Sequence, residues 1–200
     1  ALSEATSKKP FLQRRLELLE KFAPMFLKSI SKHYTEILSE NLGCQFISEV
    51  LVNDELYDQL SEKDVESFQK VVNNIAITFK GDISEEEHPI QRPFSTRLLK
   101  ALIQGGKWNN KERKVEPSKK VQGLGIEFAA KFYDDIIDSS NLLEWINNVD
   151  SSFTVVALFE TLNGTDEGQQ FLKDLKSVIP KIDTAEENNK GAKLLLKLIK

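Results

Sequence analysis

Four segments of this chain resemble one another in pattern, and that recurrence limits the fold more than any other feature. Residues 41–51 (NLGCQFISEVL), 92–102 (RPFSTRLLKAL), 150–162 (DSSFTVVALFETL) and 189–199 (NKGAKLLLKLI) each pass from small or polar residues into an apolar helical face. They begin about 40 to 60 residues apart, an irregular spacing compatible with helical repeats that carry insertions. A unit of this size leaves an apolar face that only a stacked neighbour can cover. The expected fold is therefore all-α: an α-solenoid of helical repeats, continuous from residue 1 to residue 200.

Helical periodicity also fills the intervals between these segments. Leu12, Leu16, Leu19 and Phe22 recur at helical spacing after Pro10, and Ala23-Pro24 predicts a break before a second helix with Phe26, Leu27 and Ile30. A short third helix is expected at Ile37 and Leu38, and a fourth over residues 43–51. Residues 62–79 carry the stripe Val65, Phe68, Val72, Ile75 and Phe79, with Gly81 placed to end it. A helix over 94–103 stops at Gly105-Gly106, and residues 105–120 (GGKWNNKERKVEPSKK) read as one long loop inserted in the array. Leu124, Phe128, Phe132 and Ile136 pattern a long helix, residues 142–146 a short one, and Val155, Val156, Phe159 and Leu162 another. Phe171, Leu172, Leu175, Val178 and Ile179 make the next, ended by Pro180, and residues 194–199 the last.

Bulk properties narrow the function classes. With 40% hydrophobic residues in 200, the chain can bury a substantial core. It opens on Ala1 and its single methionine is Met25, so it is expected to be a piece of a longer protein. One cysteine, Cys44, can form no internal disulfide and suits a reducing compartment, and no apolar run is long enough to span a bilayer. The net charge of −4 argues, on its own, against nucleic acid. That average hides blocks of opposite sign. Residues 53–87 hold ten acids against three bases, 88–132 ten bases against three acids, and 133–187 twelve acids against three bases; 188–200 hold four lysines and no acid. Such a field acts locally, because screening at physiological salt sets in over about 8 Å.

The four segments look like the second helix of Pumilio repeats: a small residue, two base-contacting positions, two apolar residues, a third base-contacting position, then a basic residue and leucines. Residues 88–110 (HPIQRPFSTRLLKALIQGGKWNN) and 139–152 (SSNLLEWINNVDSS), with SVIPKI and NKGAKLLLKLI near the end, resemble more narrowly the carboxy-terminal half of the Puf-A group of nucleolar Pumilio-like proteins. The resemblance begins at about Ser7. It implies about five Pumilio-type repeats in a curved or L-shaped array, RNA binding without sequence preference, and double-stranded DNA as an open second ligand. It also implies a nuclear, nucleolar address with cytoplasmic shuttling left open, pre-ribosomal proteins or assembly factors as partners, and roles in large-subunit assembly and repression of a localised messenger RNA.

Placed on that pattern, the base-contacting positions are Cys44, Gln45 and Ser48; Ser95, Thr96 and Leu99; Phe153, Thr154 and Ala157; and Ala192, Lys193 and Leu196. Leu99, Ala157 and Leu196 have no side-chain hydrogen-bonding group, and no stacking position is aromatic or arginine. The base code is broken here, so contact with nucleic acid is expected at the backbone. Its candidates are Arg92, Arg97, Lys100, Lys107, Lys111, Arg113, Lys114, Lys119, Lys120 and Lys193, with Trp108 available to stack. The competing reading is a solvated charged loop that Trp108 pins to the solenoid, favoured slightly by Glu112 and Glu116.

Other motifs weigh less. His33 and His88 have no ligand-spaced partner, so no metal is expected, and no cofactor. Glu85-Glu86-Glu87 reads as an exposed loop and Gly123-Leu124-Gly125 as a helix start or close packing. Asp134, Asp135 and Asp138 read as solvated. Nothing assembles a catalytic set, so the chain is expected not to be an enzyme. The alternative function is a purely protein-binding scaffold.

Overall fold

The computed structural model describes residues 10–200, apart from the side chains of Arg15 and Leu19. Ser7 and the Leu19 side chain, both used above, thus lie outside the described residues. The chain is built of α1 (Phe11–Leu38), α2 (Asn41–Leu51), α3 (Asp54–Asp58), α4 (Glu62–Ile77), α5 (Pro93–Gln104), β1 (Gly106–Asn109), β2 (Lys114–Pro117), α6 (Ile126–Phe132), α7 (Asp138–Asn147), α8 (Ser152–Leu162), α9 (Gln169–Val178) and α10 (Lys190–Ile199).

The four similar segments are α2, α5, α8 and α10, and they form one row: α2 packs on α5, α5 on α8, and α8 on α10. Outside the row, α1 packs on α4, and α7 on α9. A single apolar core runs between the two layers from Ala23 to Leu195. This is the α-solenoid expected from the sequence. Each row helix is anchored by a small polar side chain near its start. Cys44 Sγ–H and Ser95 Oγ–H both donate to the carbonyl of Leu38, at 3.3 and 3.4 Å, where α1 ends. Ser151 Oγ–H donates to Trp145 O at 2.6 Å, and Asn189 Nδ2–H to Ile146 O at 2.9 Å, near the end of α7. The last turn of a helix leaves carbonyls without intrahelical donors, and a buried one is costly to leave unpaired. The small residue at the head of each segment supplies the donor.

Three sequence expectations need correction. The break at Ala23-Pro24 does not occur: α1 runs through Pro24 and kinks instead at His33, φ −123° and ψ 16°, so the short helix expected at Ile37 and Leu38 is the piece that follows the kink. Ala23, Leu27 and Ile30 stay on one face and are buried. Burying two large aliphatic side chains, at about 1.5–3 kcal/mol each, offsets the roughly 3 kcal/mol that an interior proline costs. The long helix from Leu124 is shorter than its stripe, because α6 passes into a π-helical turn, Tyr133–Ile137, before α7. Asp138 then stands at φ 56°, its carboxylate accepting from the Ser140 N–H at 2.7 Å.

The third correction bears on function. Residues 105–120 are not a structureless loop: β1 and β2 pair antiparallel, with Lys107 opposite Glu116, Trp108 opposite Val115 and Asn109 opposite Lys114. Gly105 ends α5 at φ 66°, and a Cβ there would stand 2.8 Å from Gly125, so only glycine lets the hairpin leave so close to α6.

Candidate nucleic-acid interface

The row of second helices settles where the would-be base positions lie. Cys44, Ser95, Leu99, Thr154, Ala157 and Ala192 are buried between helices, whereas Gln45 and Phe153 are exposed and Ser48, Thr96 and Leu196 half-buried. Leu99 is 0% exposed. It is a packing residue, and no base could reach it.

The cations divide between α5, the hairpin and α10. Arg97 and Lys100 lie on the exposed side of α5, and Lys107, Lys111, Arg113, Lys114, Lys119 and Lys120 are exposed on the hairpin and the residues after it. Lys193 stands apart on α10, which packs on α8 and α7. Several of these charges are already engaged. Arg92 pairs with Glu87 at 3.3 Å, Lys114 with Glu112 at 3.7 Å, and Lys120 with Asp58 at 2.5 Å. The hydrogen bond and charge of Asp58 push the Lys120 ammonium above its ordinary value. Lys120, expected at a phosphate, therefore faces an acid of α3.

The hairpin is fastened by Asp54, at the start of α3. Its carboxylate accepts from Ser118 Oγ–H and from the backbone N–H groups of Lys119, at 3.0 Å, and Lys120, at 3.1 Å. Burial raises the Asp54 pKa, but the hydrogen bonds from Ser118, Lys119, Lys120 and Val121 outweigh it and hold the carboxylate below its usual range. Ser118 N–H also donates to Gly105 O at 2.8 Å, closing the base of the hairpin. Trp108 is not what pins it, since that ring is 59% exposed.

Two grooves flank the hairpin. One, of about 600 Å³, runs between α2 and α5, lined by Gln45, Ser48, Phe94, Arg97 and the hairpin-tip residue Asn110. The other, of about 710 Å³, separates the hairpin from the start of α3 and is lined by Lys107, Lys114, Lys119, Asp54 and Glu55. The first holds one cation, Arg97, beside Glu49, and the second sets its three lysines among Asp54, Glu55 and Glu116.

Comparison with known proteins places this architecture. A family model described as the CPL (NUC119) domain matches residues 1–113, more than half of the chain. The chain belongs to the CPL domain family. It is 72% identical to Pumilio homology domain family member 6 of Saccharomyces cerevisiae over 199 residues, covering all of this chain and 30% of that protein. Identity is 29% to the Schizosaccharomyces pombe protein of the same name and 25% to human Pumilio homolog 3, with 28% and 27% of their lengths covered. The chain thus spans less than a third of the curated relatives it matches. The crystal structure of human Puf-A superposes with a TM-score of 0.64 at 22% identity, over 96% of this chain and 33% of that one, which shows a shared fold. The Puf-A resemblance read from the sequence holds. In this CPL-family chain, sequence reading missed Asp54 as the clasp; its signal was an N-capping Asn53 ahead of two acids.

Proposed function

We propose that this segment binds RNA through the sugar–phosphate backbone, without reading base sequence, and that it binds without catalysing. The observation that carries the reading is the placement of α5 and a clasped hairpin, which sets Arg97 on one groove and Lys107, Lys114 and Lys119 on the other, with Lys100, Lys111 and Arg113 exposed, in a row where Leu99, Ala157 and Leu196 offer a base no hydrogen-bonding group. The Pumilio names of the relatives support a nucleic-acid ligand, and double-stranded DNA is a second ligand of the same kind. Within the longer proteins that such a segment belongs to, the reading extends to a nucleolar factor with pre-ribosomal partners. Its work there would be large-subunit assembly and repression of a localised messenger RNA.

A competition mobility shift tests the binding. Unrelated RNAs of equal length and structure should displace one another within about tenfold, since one properly read base is worth about 1–3 kcal/mol. Discrimination beyond that would overturn the reading. A protein-binding scaffold is favoured by the exposed Phe46, Phe153, Leu194 and Leu198 on the same row, 38–46% exposed. No shift with any RNA at low salt would leave that as the function.

A further inference from the structure

The alternation of a β-hairpin sorts its side chains. Opposite residues share a face and successive residues alternate, so Trp108 and Val115 lie on one face with Gly106 and Pro117. Lys107, Asn109, Lys114 and Glu116 lie on the other. One face of the hairpin is apolar and centred on an indole, and the second is polar.

That indole is unusual for where it stands. Trp108 is 59% exposed, while the chain's other tryptophan, Trp145, is 2% exposed and packed on Phe132 and His88. A ring with most of its surface in water, on a strand fastened at its base by Asp54, adds less to this fold by burial than Trp145 does. The segment that carries it is cationic, residues 100–120 holding seven lysines and arginines against Glu112 and Glu116, although Lys107 and Lys114 lie on the opposite face. Of these two acids, Glu112 is engaged by Lys114, and Glu116 accepts from Asn109 Nδ2–H at 2.5 Å. Lys111 and Arg113, in the turn, flank the strand that carries the ring.

We propose that Trp108 is a stacking platform for an unpaired nucleobase, so that the hairpin favours single-stranded nucleic acid over a duplex, which only its backbone contacts would hold. The inference rests on the backbone-binding reading above and names the form of the ligand. A base in a duplex has its faces covered by its neighbours, whereas an unpaired base offers a π-face whatever its identity. A ring on a pre-fixed hairpin loses little freedom on binding, and Lys111 and Arg113 in the adjoining turn can hold a phosphate next to the stacked base. An acidic protein partner would use the cations and leave the indole unexplained; an apolar one would leave the cations unexplained.

The two tryptophans make the test direct. The chain is titrated with a ten-nucleotide oligouridylate and, separately, with a blunt ten-base-pair RNA duplex. Binding is followed by mobility shift, and the environment of Trp108 by tryptophan emission and its quenching by acrylamide. Trp145, being buried, supplies a constant background. Oligouridylate should quench the exposed emission and protect it from acrylamide, and the duplex should do neither. Trp108→Ala should bind oligouridylate about tenfold more weakly with an unchanged salt slope, because a stack and no phosphate contact is lost, while Trp108→Phe retains most of the affinity. A shift with oligouridylate but no change in emission would overturn the stacking and leave backbone binding standing, as would equal quenching by the duplex. No shift with either probe at low salt would overturn backbone binding and the stacking with it.

Discussion

At the scale of single residues, position in the row decides what a side chain can do. Leu99 falls where a sequence-reading repeat would carry an edge-binding side chain, yet it lies in the core. Leu99→Gln should therefore not install base reading. It buries an amide without partners and removes apolar packing, so a loss of about 2–5 kcal/mol is expected, read as a lowered thermal midpoint with unchanged sequence indifference. His88 gives a pH dependence. Its Nε2–H donates to Phe79 O at 2.9 Å and its Nδ1 accepts from Ile90 N–H at 3.1 Å, an arrangement available only to the neutral ring. Burial lowers its pKa, against the hydrogen bond to Phe79 and the pull of Glu85 and Asp82. Below about pH 6.5 the unfolded chain binds a proton that the folded chain refuses, so stability falls as pH drops through that value towards the depressed folded pKa. Thermal unfolding between pH 7.5 and 5 should show this fall, and His88→Gln, though less stable throughout, should show a flatter profile. The lowered carboxylates Asp54, Asp82 and Asp138 act in a separate window, losing their contribution only as pH falls below about 4.

At the scale of elements, the hairpin is two short strands that would be marginal on their own. Its order depends on the Asp54 clasp and the Gly105 exit. Asp54→Ala leaves the Ser118 hydroxyl and two backbone N–H groups without their acceptor, at a site partly open to water. A cost of about 1 kcal/mol is expected, seen as faster amide exchange at residues 118–120 and in β2 with little change in α4 or α8. The hairpin cations should act unequally. Replacing Lys107, Lys111 and Arg113 by Ala should flatten the slope of log affinity against log salt by up to about 2, at roughly 0.7 per phosphate contact. Lys120→Ala should move it little, since that ammonium already faces Asp58. An equal effect of Lys120→Ala would mean that the Asp58 pair opens on binding.

At the scale of the whole molecule, a basic stretch lies between two acidic ones in a chain of net charge −4. Long-range attraction to a polyanion is therefore weak, and the proposed binding would rely on a few local phosphates. With three to five contacts, lowering salt from about 150 to 50 mM should raise affinity roughly tenfold to fiftyfold, measured by the same mobility shift. Periodicity, which follows from backbone geometry, made legible from sequence the helical class and the four row segments. Where the residues departed from local rules, the sequence misled: Pro24 suggested a break that buried neighbours override, and the glycines and charges of 105–120 suggested a loop where cross-strand pairing prevails. Which member of each segment faces the neighbouring helix was not legible, since Thr154 is buried in α8 whereas Thr96, at the corresponding position of α5, is half-buried. Nor was the meeting of Ser118 with Asp54, 64 residues apart, or of Lys120 with Asp58. A local pattern determines the turn of each helix, because each hydrogen bond spans four residues. Pairing between distant charges is decided only when stacked units bring them within reach.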